Sequence, residues 1–433
     1  RGYWSEGRRW ITDLLELEGT HLHPELRAQA LNTAAQLALL QGDHVTAQTT
    51  VKEALALARR CGDERQIAIA LNSNAMLEGV RGEFGAARVL LEESLAIRRG
   101  LGNKAVIALT LSNLGLLATL QTDYVKARAL FDESLTTFRD IDDKHGIVIA
   151  LVNSGDLLGR MGNDGAAQAV VEEGLALARS LGDKALLPNA LNALGELVCR
   201  QGDHEAARVL NEEALEIARQ VGNRGEVAVA LLSLGGEAEH REAYAAARSA
   251  FETSLSLLRD LGYKPKIAVA LNCLGRAATR DGDFAGAKLF HEESLEMCRR
   301  MGTRDCLAQS LLGLANIAHL QGDHRSALAL CRQSLAVLLD IGDRRELPRL
   351  LEKIALLLIA QRQPAPGASL CGAVQVIRER ATISRPPNDR AEYEQHVESS
   401  RRELGDERFT TAWASGRAMT LEQAISYALN EQL

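Results

Sequence analysis

Residues 185–224 read ALLPNALNALGELVCRQGDHEAARVLNEEALEIARQVGNR. Leu187, Leu191, Leu194, Gly195 and Val198 fall at helical spacing, which makes one amphipathic helix, A. Gly202 ends it. Asp203 then suits the N-cap of a second helix, B, because its carboxylate accepts from orphan N–H groups of the first turn. Helix B carries Ala207, Leu210, Ala214, Leu215 and Ala218 on one face. It closes at Val221-Gly222, where glycine takes the left-handed position past a helix end.

The same forty residues recur along the chain. Leu31, Leu71, Leu111, Leu151, Leu191, Leu231, Leu271, Leu311 and Leu351 share one column. Ala47, Ala87, Ala127, Ala167, Ala207, Ala247, Ala287 and Ala327 share another. A fixed period of this length marks a stacked array, in which neither helix buries its apolar face alone. Small residues also recur: Gly115, Gly155, Gly195, Gly235 and Gly275 in helix A, and Ala54, Ser94, Ser134, Gly174, Ala214, Ser254, Ser294 and Ser334 in helix B. Glycine inside a helix costs ~1 kcal/mol against alanine, so its return implies a neighbour too close for a larger side chain. Pro188 and Pro348 fall in the first turn of helix A, where the missing N–H has no helical partner. Glycine holds six of eight A–B corners and seven of eight B–A corners. Thr122, Glu242 and Asp142 depart, and those corners are expected to be less regular.

Run backwards, the phase sets Gly2 against Gly42 and Leu15 against Leu55. Residues 1–19 then read as the second helix of a truncated repeat, with its first half expected upstream. Residues 23–344 hold eight repeats, 345–380 a degenerate ninth, and 381–433 a helical cap. The exposed first half-repeat is expected to leave an apolar face at Trp10 and Leu14.

Length alone would suggest several domains, but a solenoid grows in one dimension and need not split. The net charge of −7 is a poor prior for a phosphate-backbone binder. The seven cysteines, Cys61, Cys199, Cys273, Cys298, Cys306, Cys331 and Cys371, form no C-x-x-C pair. Scattered and odd in number, they read as buried thiols of a reducing compartment. No apolar run is long enough to span a bilayer, and the first residues do not resemble a signal peptide. The expectation is a cytoplasmic protein, without membrane or nucleic-acid partners.

These columns resemble the tetratricopeptide repeat. Gly195 matches its small helix-A residue, Gly202 its corner glycine, Ala207 and Ala214 its helix-B alanines, and Phe84, Tyr124, Tyr244 and Phe284 its aromatic corner. The resemblance implies an all-α, right-handed superhelical solenoid of antiparallel helix pairs, used to bind peptides or proteins. The tail, from RAEYEQ to LGDERFTTAWASGRAMTLEQAISYAL, resembles the segment that closes the repeat region in bacterial STAND-type regulators. Arg390, Tyr393, Leu404, Gly405, Phe409, Trp413, Gly416, Leu421, Glu422 and Ala424 carry that likeness. It implies a sensor and autoinhibitory region whose partner is an N-terminal NTPase module of the same parent chain, often with a LuxR-type helix-turn-helix after it. No G-x-x-x-x-G-K-[ST] loop lies within these residues. A stand-alone peptide-binding adaptor and the regulatory tail of a nucleotide cyclase are the alternatives.

No catalytic grouping stands out, so the chain reads as non-catalytic and without a cofactor. His44, His204 and His324 share a corner column but stand whole repeats apart, too far to converge within ~2–2.5 Å of one ion. Glu93, Glu133, Glu173, Glu213 and Glu293 read as a solvated face of helix B. The working surface is expected on the concave face lined by helix A. Asn32, Asn72, Asn192 and Asn272 share one inward column, with Asn113 and Asn153 beside it. Asparagine is a poor helix-interior choice, so its return implies a role. Its amide either meets a ligand backbone or ties neighbouring A helices together. Asp156, Glu196 and Arg276 follow one turn on, and Arg160, Arg200 and Arg280 sit at the lip. An arginine there either meets a ligand or complements the helix dipole. Helix A of the third repeat, residues 105–121, carries no charge, which favours a moderately apolar peptide over an acidic tail.

Leu191→Ala is expected to cost ~2–5 kcal/mol, as truncation of a buried leucine does. Chemical denaturation checks this, and a loss under about half a kcal/mol would remove Leu191 from the inter-helix core.

Overall fold

The computed structural model describes residues 3–16, 23–342, 346–381 and 387–430. The expected boundaries at 19 and 344, and Arg385-Pro386 of the proline-rich turn, lie outside them. Among the described residues the elements are helices joined by tight turns, with no strand. Tyr3–Glu16 comes first. Helix pairs follow: Pro24–Leu40 with His44–Cys61, Glu64–Val80 with Phe84–Leu101, Lys104–Leu120 with Tyr124–Asp140, and Lys144–Arg160 with Asp164–Leu181. Then come Leu187–Arg200 with His204–Val221, Arg224–His240 with Tyr244–Asp260, Lys264–Arg280 with Phe284–Met301, Arg304–Leu320 with His324–Asp340, and Leu347–Ala360 with Pro364–Ala381. Pro387–Leu404, Asp406–Arg417 and Leu421–Leu429 close the described chain. The protein is an all-α helical solenoid. Residues 1–277 with 300–303 form one compact body, and 278–299 with 304–433 a second.

Local chemistry starts and stops these helices. Asp203 accepts from the Ala206 N–H at 3.0 Å, and Asp43, Asp63, Asn103, Asp123, Asp143, Asn223 and Asp323 cap in the same way. Gly222 closes its helix at φ 78°. The corners at Thr122, Asp142 and Glu242 correct the expectation of irregularity. Their φ values are 63°, 52° and 61°, the left-handed conformation of the glycine corners. The Asp123 and Ala243 N–H groups still reach the Ala118 and Ala238 carbonyls at 2.9 Å. Stacking fixes the path of the chain, and the ~1–2 kcal/mol penalty for a left-handed L-residue is borne by packing.

In the first body, a size match sets the approach of A to B. The helix-A glycine faces a side chain sixteen residues on. A Cβ at Gly115 would enter the Phe131 ring, one at Gly235 the Phe251 ring, and one at Gly195 the Asn211 amide. Where helix A carries Ala35 or Ala75, the facing residues are the aliphatic Val51 and Leu91. The helix-B serines add a tie: Ser94, Ser134 and Ser254 donate to the Ala68, Ala108 and Ala228 carbonyls at 2.7–2.8 Å. Leu191 is fully buried in a cluster with Val171, Leu175, Leu194 and Leu197. At the N-terminal end Trp10 is 62% exposed, with Leu14 also exposed.

The second body has the largest apolar cluster, built on Leu347, Leu350, Leu351, Ile354, Leu357 and Leu358. The three closing helices dock on it. Arg332 donates to the Ala428 and Asn430 carbonyls, and Gly416 lies directly against the Ser369 backbone. Thr420 and Gln423 form a capping box at Leu421–Leu429. Tyr393, Phe409, Gly416 and Ala424 of the tail are buried.

Gly115→Ala is expected to destabilise by ~1–2 kcal/mol: overpacking against Phe131 outweighs the ~1 kcal/mol helix-propensity gain. Adding Phe131→Leu, which recreates the Ala75–Leu91 pairing, should recover the loss. Urea melts of single and double variants check this, and additive losses would refute the size match.

Candidate functional site

In the first body, helix A of one repeat lies beside helix A of the next, and the asparagines run along that contact. Asn32 Nδ2 donates to the Gln66 carbonyl at 3.0 Å and to Gln66 Oε1 at 2.9 Å. Asn113 Nδ2 donates to Asn72 Oδ1 at 3.1 Å, and Asn153 Nδ2 to Ser112 Oγ at 3.0 Å. Asn192 Nδ2 donates to Glu226 Oε2 at 3.2 Å. Every one of these bonds joins neighbouring A helices. Asn32, Asn72, Asn153, Asn192 and Asn272 are buried, whereas Asn113 is half-buried. The Oδ1 atoms of Asn32 and Asn192 are buried without a hydrogen-bond partner. Such orphan acceptors cost ~1–3 kcal/mol each and mark places where a donor would be welcome.

One turn on, the column changes character along the first body. Met76 and Leu116 are exposed apolar side chains, 47% and 37% accessible. Asp156, Glu196 and Arg276 occupy the same register further along, and each is engaged. Arg160 Nε meets Asp156 at 2.9 Å. Arg200 meets Glu196 at 2.8 Å and Asp164 at 2.9 Å, its guanidinium lying over Gly159, where a Cβ would collide with it. Arg276 meets Glu239 at 3.1 Å and Cys273 Sγ at 3.5 Å. Arg160 and Arg200 are thus tied to carboxylates as well as placed at helix C-termini. Arg280 belongs to the second body.

Two half-buried carboxyls on this stretch have shifted titration. Burial alone would push the Asp156 carboxyl up, but the Arg160 guanidinium, with Lys266 and Arg200, holds it below its ordinary value. Lys266 lies three repeats beyond Asp156. Burial pushes the Glu226 carboxyl up, against the pull of Lys266 and the Asn192 hydrogen bond. Among the described residues, Asp156–Arg160, Glu196–Arg200 and Glu239–Arg276 are closed pairs on this stretch.

The glutamate column is more than a solvated face. Arg59, Arg99, Arg139 and Arg179 reach Glu93, Glu133, Glu173 and Glu213 of the next B helix at 2.9–3.2 Å. The signal, arginine and glutamate spaced thirty-four residues apart, was present in the sequence. Exposed pairs of this kind are each worth under about 1 kcal/mol. Two corner histidines have separate surroundings: His204 stacks on His240 at 4.8 Å, and His324 lies 5.1 Å from His319. Among the described residues no group of three or more His, Cys, Asp or Glu could hold a metal ion. Among them also, no helix is long and apolar enough to cross a membrane.

The tetratricopeptide repeat model matches residues 106–180, 186–260 and 266–340, and a model of anaphase-promoting complex subunit 5 matches residues 17–81. No curated protein matches the chain. Among solved structures, a Rap protein complexed with competence and sporulation factor is 12% identical. The match covers 91% of this chain and 100% of that one, with a TM-score of 0.55. This likeness is one of fold. A signal transduction ATPase with numerous domains from Pyrococcus horikoshii, with a tetratricopeptide repeat sensor, is 15% identical over 78% of this chain, with a TM-score of 0.45. The match spans only 53% of that protein's chain. NprR in complex with its cognate peptide NprX is 14% identical over 62% of this chain and 78% of that one, with a TM-score of 0.48.

Glu226 yields a pH prediction. Its folded pKa lies above the ordinary value, so the folded state holds the proton more tightly than the unfolded chain. Stability from this group is present below the ordinary carboxylate pKa and is lost as pH rises through that range. Glu226→Gln is expected to raise the melting temperature at neutral pH and flatten that decline. Thermal melts between about pH 4 and 8 read it, and an unchanged profile would count against the burial.

Proposed function

Because the chain belongs to the tetratricopeptide-repeat family, whose model covers more than half of it, we propose that it is a non-catalytic scaffold that binds a peptide or protein segment on its concave face. One observation carries this reading. The concave register passes from exposed Met76 and Leu116 to the paired charges of Asp156, Glu196 and Arg276. Exposed apolar side chains beside closed charge pairs suit a chain with apolar side groups and a polar backbone. A nucleic acid asks instead for a run of unpaired cations. The half-buried Asn113 adds a place for a backbone N–H group. Asp156, Glu196, Arg160, Arg200 and Arg276 are the proposed ligand contacts of the first body, and the buried asparagines set the spacing of the helices that carry them.

The larger setting we propose is the sensor and autoinhibitory region of a bacterial STAND-type signalling or transcriptional regulator acting in the cytoplasm. Support comes from the tail. Tyr393, Phe409, Gly416 and Ala424, which carry the resemblance to such regulators, are buried where the closing helices meet the repeats. A tail folded onto the array is part of the repeat region rather than a loose extension. The working step would be a population shift of an N-terminal NTPase module between held and released states, which needs a ligand with different affinities for the two.

Arg160→Glu with Arg200→Glu is expected to weaken retention of an immobilised random-peptide pool by about tenfold while helicity and melting stay as in the wild type. Peptide-array binding with circular dichroism tests it. A wild type that retains no peptide, or a variant that retains the pool equally well, would overturn this placement of the ligand.

A further inference from the structure

Most left-handed corner glycines of the first body have open space beside them. A Cβ at Gly62, Gly102, Gly182, Gly202 or Gly222 would meet nothing within 4 Å. Gly42 and Gly82 differ. A Cβ at Gly42 would run into the Leu261 side chain, and one at Gly82 into Met301. In both contacts the partner lies 219 residues further along. The A–B corners of the first and second repeats therefore rest on the B–A corners of the sixth and seventh, all within the first body.

Three further observations belong to the same seam. His44 Nδ1–H donates to the Leu261 carbonyl, across five repeats. Leu261 is 3% exposed, whereas Leu101, in the same corner column, is 46% exposed. Met301 packs on the cluster of Phe84, Leu91 and Leu117 from the second and third repeats. The seam is apolar and small, with one half-buried hydrogen bond. The charges of Asp156 and Lys266, three repeats apart, sense each other within the turn it closes.

We propose that Gly42, His44 and Gly82 with Leu261 and Met301 form a clasp that holds this turn of the array shut, and that its opening gives a partner chain lateral access to the concave face. The clasp is built for reversal. Among the described residues it has no ion pair at the Leu261 contact, and it inserts one apolar side chain at each point, Leu261 or Met301, so its closed state is worth little more than their burial. It goes beyond the binding role proposed above, because the seam is defined without reference to any ligand.

The test uses no ligand either. Cys273 is half-buried in the column of Asn113 and Asn153 and touches Arg276, which places it on the concave face. Its modification by a polyethylene-glycol maleimide, relative to methyl methanethiosulfonate, is followed by peptide mass spectrometry, with the radius of gyration from small-angle scattering. Leu261→Asp with Met301→Asp is expected to enlarge the radius and to raise the relative rate of bulky modification about tenfold or more. Leu101→Asp, the same change at an exposed corner, should alter neither. A second comparison guards against misfolding: Gly82→Ala should open the seam, whereas Gly62→Ala, equally left-handed but without a neighbour, should not. An unchanged radius, or a larger radius with Cys273 no more reactive, overturns the clasp. Either result would leave the peptide-binding proposal standing, and failure of peptide binding would leave the clasp standing.

Discussion

The architecture depends on how closely helix A can approach helix B within one repeat. That approach is fixed by a site without a Cβ, or with a methyl group only, facing a larger side chain from the other helix. Phe131 over Gly115, Phe251 over Gly235 and Val171 over Gly155 are such cases. Once the pair is set, the leucine column of helix A is committed to the space between repeats, as Leu191 shows. Glycine inside a helix weakens that helix by ~1 kcal/mol, and burial of the facing ring offsets this several times over. Local propensity yields to packing, which is also why Thr122 and Glu242 accept a left-handed backbone.

Polar groups then divide into ties and working surface. The buried serines and asparagines satisfy backbone and amide groups across helix contacts, where an unpaired group would be costly. The arginine–glutamate ladder on the B helices stays exposed and contributes little, yet it repeats with the array and keeps that face neutral. On the concave side the pairs Asp156–Arg160, Arg200–Glu196 and Arg276–Glu239 leave local net charge small. On the binding role proposed above, a surface of closed pairs beside Met76 and Leu116 would discriminate by shape and apolar fit more than by long-range attraction. The second body serves a different need. Its closing helices cover the Leu351–Leu358 core, which an open-ended array would leave to water.

Much of this was legible beforehand. The period, the helix ends, the capping residues and the close-approach glycines all follow from residue type at fixed spacing. Asp156, Glu196 and Arg276 share one register in the sequence, and the structure pairs each with a different charged neighbour, Arg160, Arg200 and Glu239. The role of the asparagines was not. The sequence left ligand contact and helix tie open, because one amide can serve either, and only the positions of Gln66, Ser112 and Glu226 show the bonds that are made. The glutamates were read as solvated because pairing across thirty-four residues depends on the angle between successive repeats.

By itself, the sequence determined the all-α repeat, because 3.6-residue periodicity and corner glycines are properties of the local chain. Tertiary structure alone decided which equivalent positions stop being equivalent. Arg98 occupies the column of Ala58, Ala178 and Ala218, yet it is buried and donates to the Val106 carbonyl and Thr110, its pKa drawn down to about 10 by burial. Gly42 and Gly82 look like any other corner glycine until the turn closes and sets Leu261 and Met301 against them. A repeat fixes each neighbour relation identically. How far the accumulated rotation carries the first two repeats towards the corners at Leu261 and Met301 is a sum over the repeats between them, which no single repeat contains.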